Sequence, residues 1–335
     1  MAVGKPFDEQ TKLGRSRLLR VVAAEVLRDG YGIVADRLPL MSLSFNTLFR
    51  VERAGRAPLV VRVGGRPRIH ADGVEEIESW WLRAIDRDLG LGVPQPVPAL
   101  SGGFAAIGRH ERIPRPVVCS VFTWVAGSRV PEPLGAGDAA RLGGILAELH
   151  EHAASLDVRS LDPAAIDAVR ADRVFPFGDR DEVLAHTAGT ADGRMVAEAI
   201  DRGRQFLDDL WAQAPSAPHL LHGDFGPSNV LRRRSMLVPV DFQDLQLGVA
   251  SQDVGLTLAD LAGDGVDATV RDSFVAGYRG RRTLDLDAEQ IAAFAALRSL
   301  SLIGFLVRVR HPALTSSVAD EMRVVRAWMG GTSTG

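Results

Sequence analysis

The sequence predicts an α+β protein of two lobes, the first built on an antiparallel β-sheet with one or two helices and the second mainly α-helical. Three observations carry that reading. Two short runs rich in β-branched residues flank the polar turn Ala54-Gly55-Arg56, which makes a β-hairpin. Past Gly127 the apolar residues fall at helical spacing almost throughout. The chain has 335 residues, too many for one small core. The lobes are expected at residues 1–123 and 124–330, with a disordered polar tail at 331–335.

Along the chain, Leu13, Leu18, Leu19, Val22, Ala23, Val26 and Leu27 have helical period between Asp8 and Asp29, and Gly30 is expected to end that helix. The hairpin follows in "SFNTLFRVERAGRAPLVVRVGG". Ile77, Trp81, Leu82 and Ile85 mark a second helix that stops at Gly90, ahead of the Pro-punctuated "GVPQPVPAL". Strands are expected at 103–108 and 115–125, so hairpin, helix and further strands give an antiparallel sheet. In the second lobe Leu142, Ile145, Leu146 and Leu149 line one helix despite the interior Gly143 and Gly144. Phe206, Leu207 and Leu210 line another. The late segment "DAEQIAAFAALRSLSLIGFLVRVR" is apolar on more than one face, which puts it at the centre of its lobe. A cleft between two such lobes is a natural small-molecule site.

Composition removes several classes of function. Hydrophobic residues at 46% and charged residues at 24% are the balance of a folded globular chain. With a net charge of −3 and dispersed arginines, no nucleic-acid partner is expected, and Arg232-Arg233-Arg234 reads as a solvated hairpin tip. The single cysteine, Cys119, excludes an intramolecular disulfide and a Cys-based zinc cluster. Its valine neighbours make it a buried strand thiol. No signal-type run opens the chain and no stretch approaches twenty uninterrupted apolar residues, so a cytoplasmic protein without a membrane partner is expected.

The chemistry concentrates in "LLHGDFGPSNVLRRRSMLVPVDFQDL". Gly226 and Pro227 force a turn, and two short strands follow on either side of the arginine tip. That layout fixes Asp224, Asn229 and Asp241 on rigid backbone and lets their oxygens converge. Two carboxylates and an amide oxygen suit a hard cation such as Mg²⁺ that also takes phosphate oxygens. With Asp224 accepting the proton of a substrate hydroxyl, the set serves in-line phosphoryl transfer.

The order His222-Gly223-Asp224, then Asn229, then Asp241 in "PVDFQD" is that of a kinase catalytic loop and metal loop. Gly223 stands where protein kinases usually carry Arg, and Phe-Gln-Asp follows Asp241. Together with "LGLGVPQPVPAL", "FTWVAG" and "VDFQDLQLGVASQDVGLTLADL" in the same order, the chain resembles the aminoglycoside phosphotransferase and choline kinase-like superfamily of small-molecule kinases. The resemblance implies a two-lobed protein kinase-like fold, ATP and Mg²⁺ as cofactors and a small-molecule hydroxyl as acceptor. It makes Asp224 the catalytic base, Asn229 and Asp241 the Mg²⁺ ligands, and His222 an orienting residue of the loop. Asp253 and Asp244 become supporting residues. It also implies a strand cation on the nucleotide phosphates, here Arg62 in place of the more usual Lys, paired with Glu78, or with Glu75 or Glu76 if the helix register differs. Ser44 and Asn46 would cover the phosphates, and Thr123 and Val125 in the interlobe segment would contact the nucleotide.

Other classes fit less well. The chain has no Gly-x4-Gly-Lys-Ser/Thr, and its one Gly-x-Ser-x-Gly match, residues 331–335, falls in the expected polar tail and not between a strand and a helix, so neither a Walker-type nucleotide site nor a serine nucleophile elbow is expected. A His/Asp metal phosphohydrolase needs more histidine ligands, and His150 and His152 in "ELHEH" read as a polar helix terminus. A catalytically inactive kinase-like binding protein would keep the fold and lose the acids, whereas all three survive. The acceptor stays open among aminoglycoside-like antibiotics, with the resistance role they imply, amino sugars, amino alcohols and hydroxy amino acids.

Overall fold

The computed structural model describes residues 6–64, 68–130, 133–214, 216–261, 267–309 and 314–330. The chain divides after Ala126 into two compact units, with Ile69–Ala71 grouping with the second. The tail expected at 331–335 and His311 lie outside the described residues.

The first unit runs α1 (Lys12–Tyr31), β1 (Leu40–Leu43), β2 (Thr47–Val51), β3 (Leu59–Val63), α2 (Val74–Leu89), β4 (Ala105–Gly108) and β5 (Val117–Thr123). Its strands form one antiparallel sheet in the order β1-β2-β3-β5-β4. The expected hairpin is β2–β3. Phe49, Val51, Val61 and Val63 are buried while Leu48, Arg50, Val60 and Arg62 between them are half-buried, as the pleat requires. The buried face packs on Leu19, Val22, Ala23 and Leu27 of α1. Cys119 of β5 lies in the same core, and burial pushes its thiol up to about 12, which leaves it unreactive. Strand β1 shows no alternation because its residues are half-buried or exposed, and sequence pattern offers nothing there.

Helix α1 ends later than the sequence predicts. Gly30 is helical, and the C-cap is Gly32 at φ +65°, whose N–H reaches the Arg28 carbonyl. The extension follows from Tyr31, which is buried with its hydroxyl 3.0 Å from the carbonyls of Phe104 and Cys119. Gly30 serves packing instead, since a Cβ there would come within 2.9 Å of the Ala106 Cβ.

The second unit runs β6 (Ser128–Arg129), α3 (Ala136–Ser155), α4 (Pro163–Ala168), α5 (Arg180–Thr187), α6 (Gly193–Ala212), β7 (His219–Leu221), β8 (Val230–Arg233), β9 (Met236–Pro239), β10 (Gln246–Gly248), α7 (Ala250–Asp260), α8 (Ala268–Arg279), α9 (Ala288–Arg308) and α10 (Leu314–Gly330). Two small antiparallel sheets, β6-β8-β9 and β7-β10, sit among these helices. By length and composition α9 is apolar enough to cross a membrane, with half of its apolar window buried inside the protein. Its Phe294, Leu297, Leu300 and Ile303 pack with Val196 and Ile200 of α6 and with Val325 of α10. It is the core helix of its unit.

Helices α3 and α8 touch backbone to backbone. A Cβ at Gly143 would fall 2.0 Å from the Phe274 carbonyl oxygen, and one at Gly277 would fall 1.9 Å from that of Ala140. The Gly143 that costs α3 intrinsic helicity thus buys its closest contact. Gly144 has only the Gly277 carbonyl at 3.8 Å, an ordinary contact. Gly143→Ala is therefore expected to destabilise the protein by about 3 kcal/mol through forced separation of the two helices. Gly144→Ala should be neutral or stabilising by up to about 1 kcal/mol. Denaturant midpoints of the two variants check this, and equal midpoints would contradict it.

Candidate active site

The site grows from the end of β7. His222 and Gly223 present their backbone N–H groups to one buried carboxylate, Asp253, at 2.7 and 2.9 Å. Asp253 stands in the first turn of α7, where the helix dipole favours its charge. The His150 Nε2 lies 3.2 Å from it, and the His150 Nδ1 lies 2.8 Å from the Tyr278 hydroxyl. Burial opposes the Asp253 charge, yet the hydrogen bond from His150 and the backbone donors outweigh it and hold the carboxyl below its usual range. Burial pushes the His150 imidazole down despite Asp253, so it stays neutral. Nε2–H then donates to Asp253 and Nδ1 accepts from Tyr278.

This corrects the reading of "ELHEH". His150 is not at a solvated helix terminus: it is fully buried inside α3, which runs on to Ser155. Neither imidazole has metal-ligand company, and among the described residues no three His, Cys, Asp or Glu side chains converge as a metal site.

The loop conformation after His222 depends on Gly223. Its φ is +79°, and a Cβ there would lie 1.9 Å from the Asp244 carbonyl oxygen. That is why glycine occupies the position between His222 and Asp224. His222 is fully buried, its Nε2–H donating to the Val240 carbonyl at 3.1 Å while Nδ1 accepts from the Asp224 N–H at 3.4 Å. The imidazole ties two stretches of backbone and has no free edge for base chemistry.

Asp224 follows with both carboxylate oxygens engaged. Asn229 Nδ2 donates at 2.8 Å to Oδ2 and at 2.8 Å to the Asp224 backbone carbonyl, after the turn closed by the Asn229 N–H on the Gly226 carbonyl. The guanidinium of Arg298 holds Oδ1. Arg298 comes from the middle of α9, and the sequence reading missed it. Its signal was available as a lone arginine inside the apolar "AAFAALRSLSLIGFLV".

The hairpin β8–β9 returns the chain to this point. Its tip lies beyond Arg233 and Met236, which face each other, and Arg232 ion-pairs with Asp138 of α3. The Val240 N–H donates to the Asn229 carbonyl at 2.9 Å, so Asp241 lies next in chain to a residue bonded to Asn229. Asp241 adopts φ +65°, ψ +61°, a costly conformation for a residue with a Cβ. With Nδ2 committed to Asp224, the amide oxygen of Asn229 accepts no hydrogen bond among the described residues. Asn229 Oδ1 and the Asp241 carboxylate are oxygen donors of the kind a hard cation takes. Asp244 takes His70 at 2.7 Å; burial works against its charge, and that bond together with the Arg298 charge holds the carboxyl low.

In the first unit the pairing of Arg62 is settled by geometry. Its guanidinium binds Glu78 through both terminal nitrogens, NH1 to Oε1 at 2.8 Å, and lies 5.0 Å over the Phe122 ring. Glu75 instead holds Arg68 at 2.7 Å, and Glu76 accepts the Phe104 N–H at 2.7 Å. Ser44 and Asn46 form the β1–β2 turn, with the Ser44 N–H on the Asn46 carbonyl at 3.2 Å. A Cβ at Gly64 would lie 3.8 Å from Asn46 Oδ1, so the turn reaches the end of the Arg62 strand. The Thr123 hydroxyl accepts from the Gln95 N–H at 2.8 Å, and Val125 is half-buried just beyond β5.

Sequence comparison decides the family: the APH model, described as the phosphotransferase enzyme family, matches residues 39–289. The chain belongs to the phosphotransferase enzyme family. No curated protein matches it. Solved structures with similar folds include an amicoumacin kinase in complex with AMP-PNP, Ca²⁺ and amicoumacin, at TM-score 0.71 and 16% identity over 96% of this chain and 97% of that one. A microcompartment-associated aminopropanol kinase follows at 0.66 and 24% over 92% and 95%. The aminoglycoside phosphotransferase APH(4)-Ia, bound to AMP-PNP and hygromycin B, follows at 0.60 and 16% over 93% and 99%. The fold is kinase-like.

The buried histidines beneath the loop give the phosphotransferase a pH-dependent stability. His219 donates from Nδ1 to the Ala217 carbonyl at 3.3 Å, while its buried Nε2 has no hydrogen-bond partner among the described residues. Burial first, then the neighbouring His150, pushes it down to about 4. An unfolded histidine takes its proton near pH 6.5, so below that value the unfolded chain binds more protons than the folded one. Stability is therefore complete above about pH 6.5 and falls towards pH 4, by about 3 kcal/mol for His219 alone. Denaturation at pH 7.5 and 4.5 should show this loss in wild type and a smaller one in His219→Gln. Equal losses would mean that folded His219 already carries a proton.

Proposed function

We propose that this phosphotransferase moves the γ-phosphate of ATP, with Mg²⁺, to a hydroxyl of a small molecule. The observation that carries the reading is the Asp224 carboxylate, fixed by Asn229 on one oxygen and by Arg298 on the other, with Asp241 next in chain to the Val240 N–H that holds the Asn229 carbonyl. The nucleotide analogues bound by the amicoumacin kinase and by APH(4)-Ia support a nucleotide donor here.

Bound Mg²⁺ would be held by Asn229 Oδ1 and the Asp241 carboxylate and would neutralise phosphate charge. Asp224 accepts the hydroxyl proton as the acceptor oxygen bonds to the γ-phosphorus. The bond from that phosphorus to the β-bridging oxygen breaks, and ADP leaves. Arg62, steadied by Glu78 and Phe122, grips the nucleotide phosphates with a planar fork where a Lys would offer a point charge. Ser44, Asn46, Thr123 and Val125 belong to the nucleotide side of this assignment, residues 1–123 to the nucleotide lobe and 124–330 to the catalytic lobe. Asp253 and Asp244 support the loops that carry Asp224 and Asp241. A cytoplasmic location, where ATP is at hand, completes the proposal.

An inactive binding protein is the weaker alternative, because Asp224 keeps both oxygens engaged and the exchange of Lys for Arg62 retains its acid partner. Transfer from γ-labelled ATP to a pooled acceptor panel tests the reading. Asp224→Asn should lower kcat by about a thousandfold with nucleotide affinity nearly unchanged. Asp241→Ala should weaken Mg²⁺-dependent ATP binding by at least about tenfold. Full activity of Asp224→Asn removes it as the base, and an unchanged titration of Asp241→Ala removes that residue from the metal site.

A further inference from the structure

Arg298 is the one charged residue inside α9, since Glu289 and Arg308 stand in its first and last turns. Ala296, Leu297, Ser299 and Leu300 on either side of it are buried, so the core fixes its place along the helix. Burial works against its charge, and the carboxylates of Asp224, Asp260 and Asp244 outweigh that burial and keep the guanidinium ionised. A cation is costly at such a position unless it is paired, so packing alone does not account for the residue.

The pairing completes what Asn229 leaves undone. Asn229 Nδ2 bonds Oδ2 and the backbone carbonyl of Asp224, each at 2.8 Å, which ties one carboxylate oxygen to the main chain. A planar group held at one oxygen can still pivot about it. The Arg298 guanidinium on Oδ1 removes that freedom, and among the described residues no other group bonds Oδ1. An ionised carboxylate offers about four acceptor sites, and these two side chains use one on each oxygen. A substrate hydroxyl therefore meets an open site on a carboxylate whose plane is already set.

We propose that Arg298 is a positioning residue for phosphoryl transfer and acts through Asp224 alone. The proposal rests on the phosphotransferase reading above and adds to it a residue outside the catalytic loop. As the acceptor oxygen bonds to the γ-phosphorus and the bond to the β-bridging oxygen breaks, the hydroxyl proton passes to Asp224, and Arg298 keeps that carboxylate turned to receive it. In this role Arg298 touches neither nucleotide nor acceptor. Its removal matters only where residue 224 can take a proton.

The test follows label leaving γ-labelled ATP, with Mg²⁺, to the pooled acceptors or to water, in wild type, Arg298→Ala, Asp224→Asn and the double variant. Arg298→Ala should lose kcat by about a hundredfold, the scale of a misplacement of about 1 Å, with ATP affinity unchanged in a direct titration. In the Asp224→Asn background the same substitution should alter the residual rate by less than about twofold. The paired side chains are 34% and 29% exposed, so a small cation can enter the vacated place. Guanidinium ion should raise kcat of Arg298→Ala at least about tenfold, the worth of a charged hydrogen bond, whereas urea at equal concentration and sodium chloride at equal ionic strength should not. A merely structural contact would instead make kcat follow the denaturation midpoint, and a rescue that urea or salt matches overturns the proposal. Losses that multiply in the double variant also overturn it, because they assign Arg298 a direct contact with nucleotide or acceptor. Should Arg298→Ala not fold, Arg298→Gln, neutral and similar in length, takes its place with at least about a tenfold loss of kcat expected. Undiminished kcat in the folded variant overturns the proposal and leaves the kinase reading intact, while no label leaving ATP in wild type overturns both.

Discussion

The buried carboxylate of Asp253 organises the catalytic unit. An ionised carboxylate without solvent costs several kcal/mol unless its oxygens are fully met. Here the N–H groups of His222 and Gly223 and the Nε2–H of His150 meet them. Because those donors must stay in place, the backbone just before Asp224 has one available course. The same demand ties α3 through His150, and α8 through Tyr278, to the first turn of α7. The tight glycine seam between α3 and α8 then keeps His150 and Tyr278 within hydrogen-bond reach of one another.

Beyond that anchor, each residue assigned to the site is held by a partner from a different element. The Asn229–Val240 hydrogen bond ties the backbone at Asn229 to the residue before Asp241, so the hairpin brings those two positions of the chain together. Asp224 is steadied from both sides, by a residue five positions on and by Arg298 seventy-four positions on. In the first unit the Arg62–Glu78 pair couples β3 to α2 in the same way, with Phe122 beneath the guanidinium. Replacing Lys by Arg at that strand position changes the partner geometry from a point charge to a two-pronged clamp, and the Glu78 carboxylate matches it.

Helix α9 shows how one element serves packing and chemistry together. Most of its residues fill the core against α6 and α10, and that burial makes its composition resemble a membrane span. One position departs, Arg298, and it reaches the proposed base. A cation set in such a helix is costly unless it is paired, so its presence marks a site rather than a surface.

What the sequence determined by itself is local. The order His222, Gly223, Asp224, Asn229 and Asp241 was legible because the turn at Gly226-Pro227 and the hairpin after it bring near neighbours in chain into contact. The β2–β3 pairing was legible from two-residue alternation, and the family from its motifs in order. Tertiary structure alone decided the rest. His150 looked like a helix-end residue until α7 and α8 closed over it, and Gly30 and Gly143 looked like interruptions until Ala106 and Phe274 filled the space a Cβ would need. Glu78 became the partner of Arg62 because Phe104 and Arg68 claimed its two neighbours. Arg298 joined the site only through the packing of α9. Turn chemistry and periodicity act over a few residues and are written in the chain, whereas contacts across many tens of residues depend on which helix faces meet, and a single sequence does not state that.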